Sequence, residues 1–170
     1  GIFWQSADGS GTAERLTKAD EGMAHVPESW APDGEHLLYS AIKDQDGTVT
    51  LWVLSAKDGK TTRFGEVASQ AYVPTAAAFS PDGRWVAYAS RQGQWLKLYV
   101  EPFPPTGAKY QVSKDAEGEG HHPVWSPDGT ELGFTPGQGV LLAAVRVTTS
   151  PSLSFGAATR VFCVLMRRPP

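Results

Sequence analysis

The sequence has one cysteine, Cys163, so no disulfide can close within the 170 residues. Its setting, Val161-Phe162-Cys163-Val164, reads as that of a small buried hydrophobe rather than a nucleophile. No apolar run approaches the roughly 18–20 residues of a membrane-spanning helix, so no membrane insertion is expected. The start, Gly1-Ile2-Phe3-Trp4, lacks the basic and apolar regions of a signal peptide and opens inside a strand pattern, as if cut from something longer. Charge of one sign is lacking too. Fifteen Lys and Arg face 18 Asp and Glu, for a net charge of −3. That leaves no electrostatic footprint for nucleic acid, and Arg167-Arg168 reads as part of a solvated tail over 167–170. No stretch of twelve residues carries helical periodicity with caps. There is no Gly-x-Ser-x-Gly elbow, and Gly9-Ser10-Gly11 lacks the Lys-Ser/Thr ending of a phosphate loop.

What is abundant is turn chemistry. The chain holds 18 Gly and 13 Pro, with 41% apolar residues, enough for a core of many short strands. One motif recurs three times: Trp30-Ala31-Pro32-Asp33-Gly34, Phe79-Ser80-Pro81-Asp82-Gly83 and Trp125-Ser126-Pro127-Asp128-Gly129. Pro pre-sets the first turn position, Asp bonds the backbone ahead of it, and Gly accepts positive φ. An alternating apolar run leaves each turn, so each copy predicts a hairpin. The copies recur at intervals of about 49 and 46 residues, within the roughly 40–50 of a four-stranded propeller blade.

These periods predict an all-β chain, a partial β-propeller of four-stranded antiparallel blades. An outer half blade is expected over 2–17, with complete blades over 26–64, 75–113 and 122–162. Innermost strands are expected at Pro27–Ala31 and Thr75–Phe79, the latter so rich in Ala that it fits where blades converge. The segment 148–156 reads as a linker. Trp30 and Trp125 share the repeat position of Phe79, which predicts all three as core.

The repeated aromatic-Ser-Pro-Asp-Gly corner resembles the blade motif of TolB-like propellers, within the wider WD-like group. Leu98-Tyr99-Val100-Glu101-Pro102-Phe103-Pro104 and Lys109-Tyr110-Gln111-Val112-Ser113 resemble the propeller attached to many bacterial serine/threonine kinases. The resemblance implies a six- or seven-bladed ring that recognises proteins or peptides on one face or in its channel, in the periplasm or cell envelope. It implies no cofactor. This chain has too few blades to close such a ring, so its open blade faces predict a homo-oligomer.

Candidate site residues follow from the blade geometry. His25, Glu28, Glu119, His121 and His122 lie at or beside the starts of innermost strands, where neighbouring blades would bring them to one mouth of a channel. Their spacing matches no metal-ligand motif, so no metal is assigned. His121 and His122, adjacent in a strand, are expected to point opposite ways. Trp95, after Arg91-Gln92-Gly93-Gln94, is the one tryptophan that reads as a loop-tip contact. Ser80, Asp82 and Asp128 are explained by turn chemistry, and no catalytic residue is assigned. The expected function is non-enzymatic binding of protein or peptide. The alternative is the propeller part of a hydrolase, gating it as in prolyl-oligopeptidase-like proteins, or a propeller with weak hydrolytic activity of its own.

Overall fold

Three corners set the geometry of the computed structural model, which describes residues 1–69, 72–113, 119–137 and 142–161. In each, the amide of Gly34, Gly83 or Gly129 donates to the carbonyl of Ala31, Ser80 or Ser126 at 3.0, 2.9 and 2.9 Å. These glycines sit at φ of 70°, 71° and 70°, a left-handed conformation that strains any residue with a Cβ. The Asp Oδ1 accepts from the amide two residues on: Glu35 at 2.8 Å, Arg84 at 3.1 Å, Thr130 at 3.0 Å. At the second and third corners Ser80 and Ser126 donate to the same carboxylates at 2.6 Å. Their hydroxyls also accept from the amides of Trp85 and Glu131, at 3.0 and 2.9 Å. Ala31 has no hydroxyl to offer. There His36 Nδ1 pairs with Asp33 Oδ2 at 2.7 Å instead.

The described residues contain no helix, and their strands form four antiparallel sheets. An N-terminal hairpin joins β1 (Phe3–Trp4) to β2 (Glu14–Arg15). The first blade is β3 (Met23–Trp30), β4 (His36–Lys43), β5 (Val49–Ser55) and β6 (Thr61–Arg63), in that order. The second is β7 (Ala78–Phe79), β8 (Trp85–Gln92), β9 (Trp95–Pro102) and β10 (Tyr110–Gln111). The third has β11 (Gly120–Trp125), β12 (Glu131–Pro136) and β13 (Leu142–Thr148), and β13 pairs with both β14 (Ser154–Phe155) and β15 (Thr159–Val161). The segment expected as a plain linker over 148–156 therefore contributes a strand, because Phe155 pairs with Val147. The N-terminal hairpin repeats the outer half of a blade: Leu16 donates to Ile2, Phe64 to Leu51 and Val112 to Leu98, at 2.9, 2.8 and 2.8 Å.

Blade stacking follows from strand alternation, since residues opposite each other in the ladder share a face. Leu38, Leu51 and Val53 of the first blade pack against Phe79, Val86 and Tyr88 of the second. Ala87, Leu98 and Val100 of the second meet Leu132, Phe134 and Val145 of the third. Each large apolar side chain buried in this way contributes about 1.5–3 kcal/mol. The first blade's opposite face, with Leu37, Tyr39 and Leu54, rests on Ile2 and Leu16.

The three corner aromatics each face the preceding sheet, and their burial records how much of that sheet exists. Phe79 is 7% exposed between the first and second blades. Trp125 is half-buried on the second blade, its Nε1 donating to the Ala78 carbonyl at 3.2 Å. Trp30 is 45% exposed, contrary to its expected place in the core. It pairs with Leu37 and so looks toward the N-terminal hairpin, which has no inner strands for the ring to lie on. The third blade's outward face carries Val124, Leu142 and Val161, at 64%, 40% and 41% exposure, around Gly133 and Ala144. Cys163 and the tail 167–170 lie outside the described residues.

Candidate binding site at the upper rim

The upper rim, opposite the Pro-Asp-Gly corners, is where innermost strands begin and where the second and third strands of each blade are joined. The innermost strands of the second and third blades both leave it through a residue in the left-handed region, which in the third blade makes a β-bulge. Ala76 and His122 each stand three residues before the corner aromatic, and both have positive φ, 52° and 53°. The register of β11 on β12 shifts between His121 and Val124 accordingly. The regular innermost strand expected over 75–79 is therefore shortened to Ala78–Phe79. The first blade has Pro27 at the equivalent place, whose ring holds φ negative, and its bulge falls between Pro27 and Ser29.

The bulge overturns the expectation for the two histidines. With His122 in the left-handed region, its ring turns to the same side as that of His121. The ring centroids lie 4.7 Å apart at 79°, and the two Nδ1 atoms are 2.5 Å apart. His121 Nε2 lies 2.8 Å from the Gly137 carbonyl, which can only accept, so Nε2 carries the proton. In the tautomer with a lone pair at Nδ1, His121 accepts there from His122 Nδ1. That leaves His122 Nε2, across the ring, as an acceptor. Burial and the adjacent His121 both push His122 below the usual imidazole range, which keeps it neutral near pH 7. Gly120 lets β11 come close to the second blade: a Cβ there would stand 2.9 Å from that of Ser113.

These rings line a cavity of about 420 Å³ between the second and third blades. Val73, Pro74, Ala76, Ala89 and Leu96 supply its apolar wall. Gln94, Trp95 and Glu119 complete it with the two histidines. Trp95 follows the two-residue turn Gly93-Gln94 joining β8 to β9, and stays 48% exposed. Four of the six candidates from the sequence thus meet at one place: Trp95, Glu119, His121 and His122.

The other two do not join them. His25 Nδ1 lies 2.8 Å from Thr17 Oγ1, and its ring packs on Tyr39 at 4.9 Å. It belongs to the contact between the N-terminal hairpin and the first blade. Glu28 accepts from Ser40 Oγ and, at 3.1 Å, from Thr75 Oγ1, tying the first blade to the second. Burial raises its carboxyl above the usual range, against the opposing hydrogen bonds. Sequence reasoning missed the cavity wall. Its signal was the repeat itself, which aligns Ala76 with His122.

The lower rim offers concave space beside the second and third corners, where the corner side chains are already bonded within their turns. A cavity of about 310 Å³ is lined by Ser80, Asp82, Trp85, Trp125 and Asp128 among others. Hydrogen bonds, Ser126's first, hold Asp128 at about 2. At Asp82 burial acts to raise the carboxyl, but the bonds from Ser80 and Arg84 outweigh it and hold it below the usual range. Both carboxylates are committed to their turns and are poor proton acceptors. A further cavity of about 520 Å³ lies below the first and second blades, beside Phe64, Phe103 and Pro104. Among the described residues no group of three or more His, Cys, Asp or Glu side chains could hold a metal ion.

Blades of four antiparallel strands, stacked face to face and cornered by Pro-Asp-Gly, define a partial β-propeller. Its fold is that of TolB. The TolB crystal structure from Acinetobacter baumannii superposes with a TM-score of 0.69 at 19% identity, over 91% of this chain and 35% of that one. An oligogalacturonate lyase in complex with manganese gives 0.55 at 17% identity, over 76% and 36%. In sequence, the Bacillus subtilis (strain 168) protein named uncharacterized peptidase YuxL is 31% identical over 135 residues. That match takes in 70% of this chain and 19% of the peptidase, so the chain spans about a fifth of that relative. No protein-family model matches the chain.

Proposed function

We propose that this chain is a non-enzymatic propeller segment that binds protein or peptide at the upper cavity between its second and third blades. The observation that carries this reading is the meeting of Trp95, Glu119, His121 and His122, none of them part of the corner repeat, in one space of about 420 Å³. An apolar wall with a few convergent polar groups is the usual form of a ligand site. The strained backbone at Ala76 and His122 lies in the same wall, where such strain tends to collect. The test is fluorescence anisotropy with a labelled peptide library. Trp95→Ala and His122→Ala should each weaken the best peptide at least fivefold without unfolding the chain. Binding by no peptide, together with measurable hydrolysis of ester, glycoside or peptide substrates, would refute the reading.

The match to a peptidase-named protein favours a second reading, in which the segment guides peptides toward a hydrolase carried elsewhere in a longer polypeptide. A downstream α/β-hydrolase with its own Gly-x-Ser-x-Gly elbow in the same open reading frame would support it. Under either reading the exposed face around Val124, Leu142 and Val161 calls for cover, and we propose association through it.

A further inference from the structure

We propose that the upper cavity takes a cationic group, the guanidinium or ammonium of a basic side chain or the free amino terminus of a peptide. The inference rests on the peptide-binding reading and adds the chemistry of what enters. Four observations point to it. Glu119 is the one formally charged side chain among the described residues that line the cavity, and it is negative. In the tautomer of His121 that donates to the Gly137 carbonyl and accepts at Nδ1, His122 Nε2 is left as an acceptor. Both polar atoms of His121 are already used, so that ring has no donor to offer an incoming anion. Trp95, nearly half exposed at the edge, presents an aromatic face on which a cation is held by the ring quadrupole.

The side-chain donors in the lining, the Gln94 amide and the Trp95 indole N–H, are both neutral, so the one formal charge is the carboxylate's. A carboxylate or phosphate would meet Glu119 and a lone pair. A cation would be neutralised by the one, accepted by the other and covered by the indole. The apolar wall of Val73, Ala76 and Leu96 suits the methylene stem of arginine or lysine, which buries readily beneath its charged head.

The experiment compares three acetylated or free peptides on the whole chain by calorimetry at pH 7.5. The first is an acetylated alanine peptide with one central arginine, the second its citrulline counterpart, and the third an all-alanine peptide with a free amino terminus. The arginine peptide should bind at least tenfold tighter than the citrulline one, and Glu119→Gln should shrink that ratio below twofold. A tight third peptide would assign the site to the amino terminus, and a weak one to the side chain; either supports a cation site. As a check that needs no variant, raising salt should weaken the arginine peptide and leave the citrulline peptide unchanged. Equal binding of arginine and citrulline peptides together with a weak third peptide, or a preference for the cationic peptide undiminished in Glu119→Gln, overturns the inference while peptide binding stands. Binding by no peptide of any kind overturns both.

Discussion

At the lower rim three corners carry nearly the same residues and make the same bonds, while at the upper rim the corresponding positions differ from blade to blade. The corner glycines, aspartates and serines are accounted for bond by bond. Where the first corner lacks serine, His36 supplies the missing partner, and the turn is preserved. At the upper rim, the place three residues before the aromatic holds Pro27, Ala76 and His122. Proline closes that place to the left-handed backbone, alanine occupies it without chemistry, and histidine brings an imidazole into the cavity. A repeated residue answers a need that every blade has. A residue found once answers a local need, structural at His36 and Glu28 and, in our proposal, ligand-binding at His122.

The strongest way to break this contrast is at the aromatics. Phe79→Ala should destabilise the chain by about 3–5 kcal/mol, as for a buried Phe, whereas Trp30→Ala should cost well under half as much. Urea unfolding of both variants decides it. Equal losses would mean that Trp30 is covered in solution by something more than the N-terminal hairpin.

The corner serines sharpen it next. Ser80→Ala removes a bond to Asp82 and leaves the Trp85 amide without its acceptor, which should cost about 1–2 kcal/mol. Ser126→Ala should behave alike at its own corner. Thermal melts that leave both unchanged would contradict the structural assignment of these hydroxyls.

Glu28 gives the smallest and most particular effect. Because burial raises its folded-state pKa, the folded chain prefers the neutral acid, and its ionisation costs stability above that raised pKa. The cost is relieved as pH falls through the raised value toward the ordinary carboxylate range. Glu28→Gln keeps an acceptor for Ser40 and Thr75 without the charge. It should melt higher than the parent at pH 8, by up to about 1 kcal/mol, with the gap closing toward pH 4. A gap that widens on acidification would show that the carboxylate form is the one the blades require.

Much of this was legible from the chain. Pro-Asp-Gly with flanking aromatics encodes a local turn, so the corners, the hairpins they lead and the all-β class follow from short-range rules. The burial of Trp30 was not legible, because it depends on a neighbouring sheet that this chain does not contain in full. Nor was the turn of His122 toward His121. Strand alternation assumes an unbroken ladder, and the bulge before Val124 breaks it. Glu28 read as a mouth residue because its partners lie 12 and 47 residues away, on two different blades. Glu119 and the two histidines were legible as rim residues from their places at strand starts, and Trp95 from its loop tip. That these four share one cavity while His25 and Glu28 stand apart was not legible.

Six tryptophans give the most direct measurement, since each indole N–H yields its own signal in a nitrogen–proton correlation spectrum of the labelled chain. During titration with a bound arginine peptide, the Trp95 indole should move and saturate. The indoles of Trp85 and Trp125, beside the lower corners, should stay in place. Movement of Trp85 and Trp125 with Trp95 unmoved would put the ligand at the opposite rim and contradict the division between repeated structure and unrepeated site.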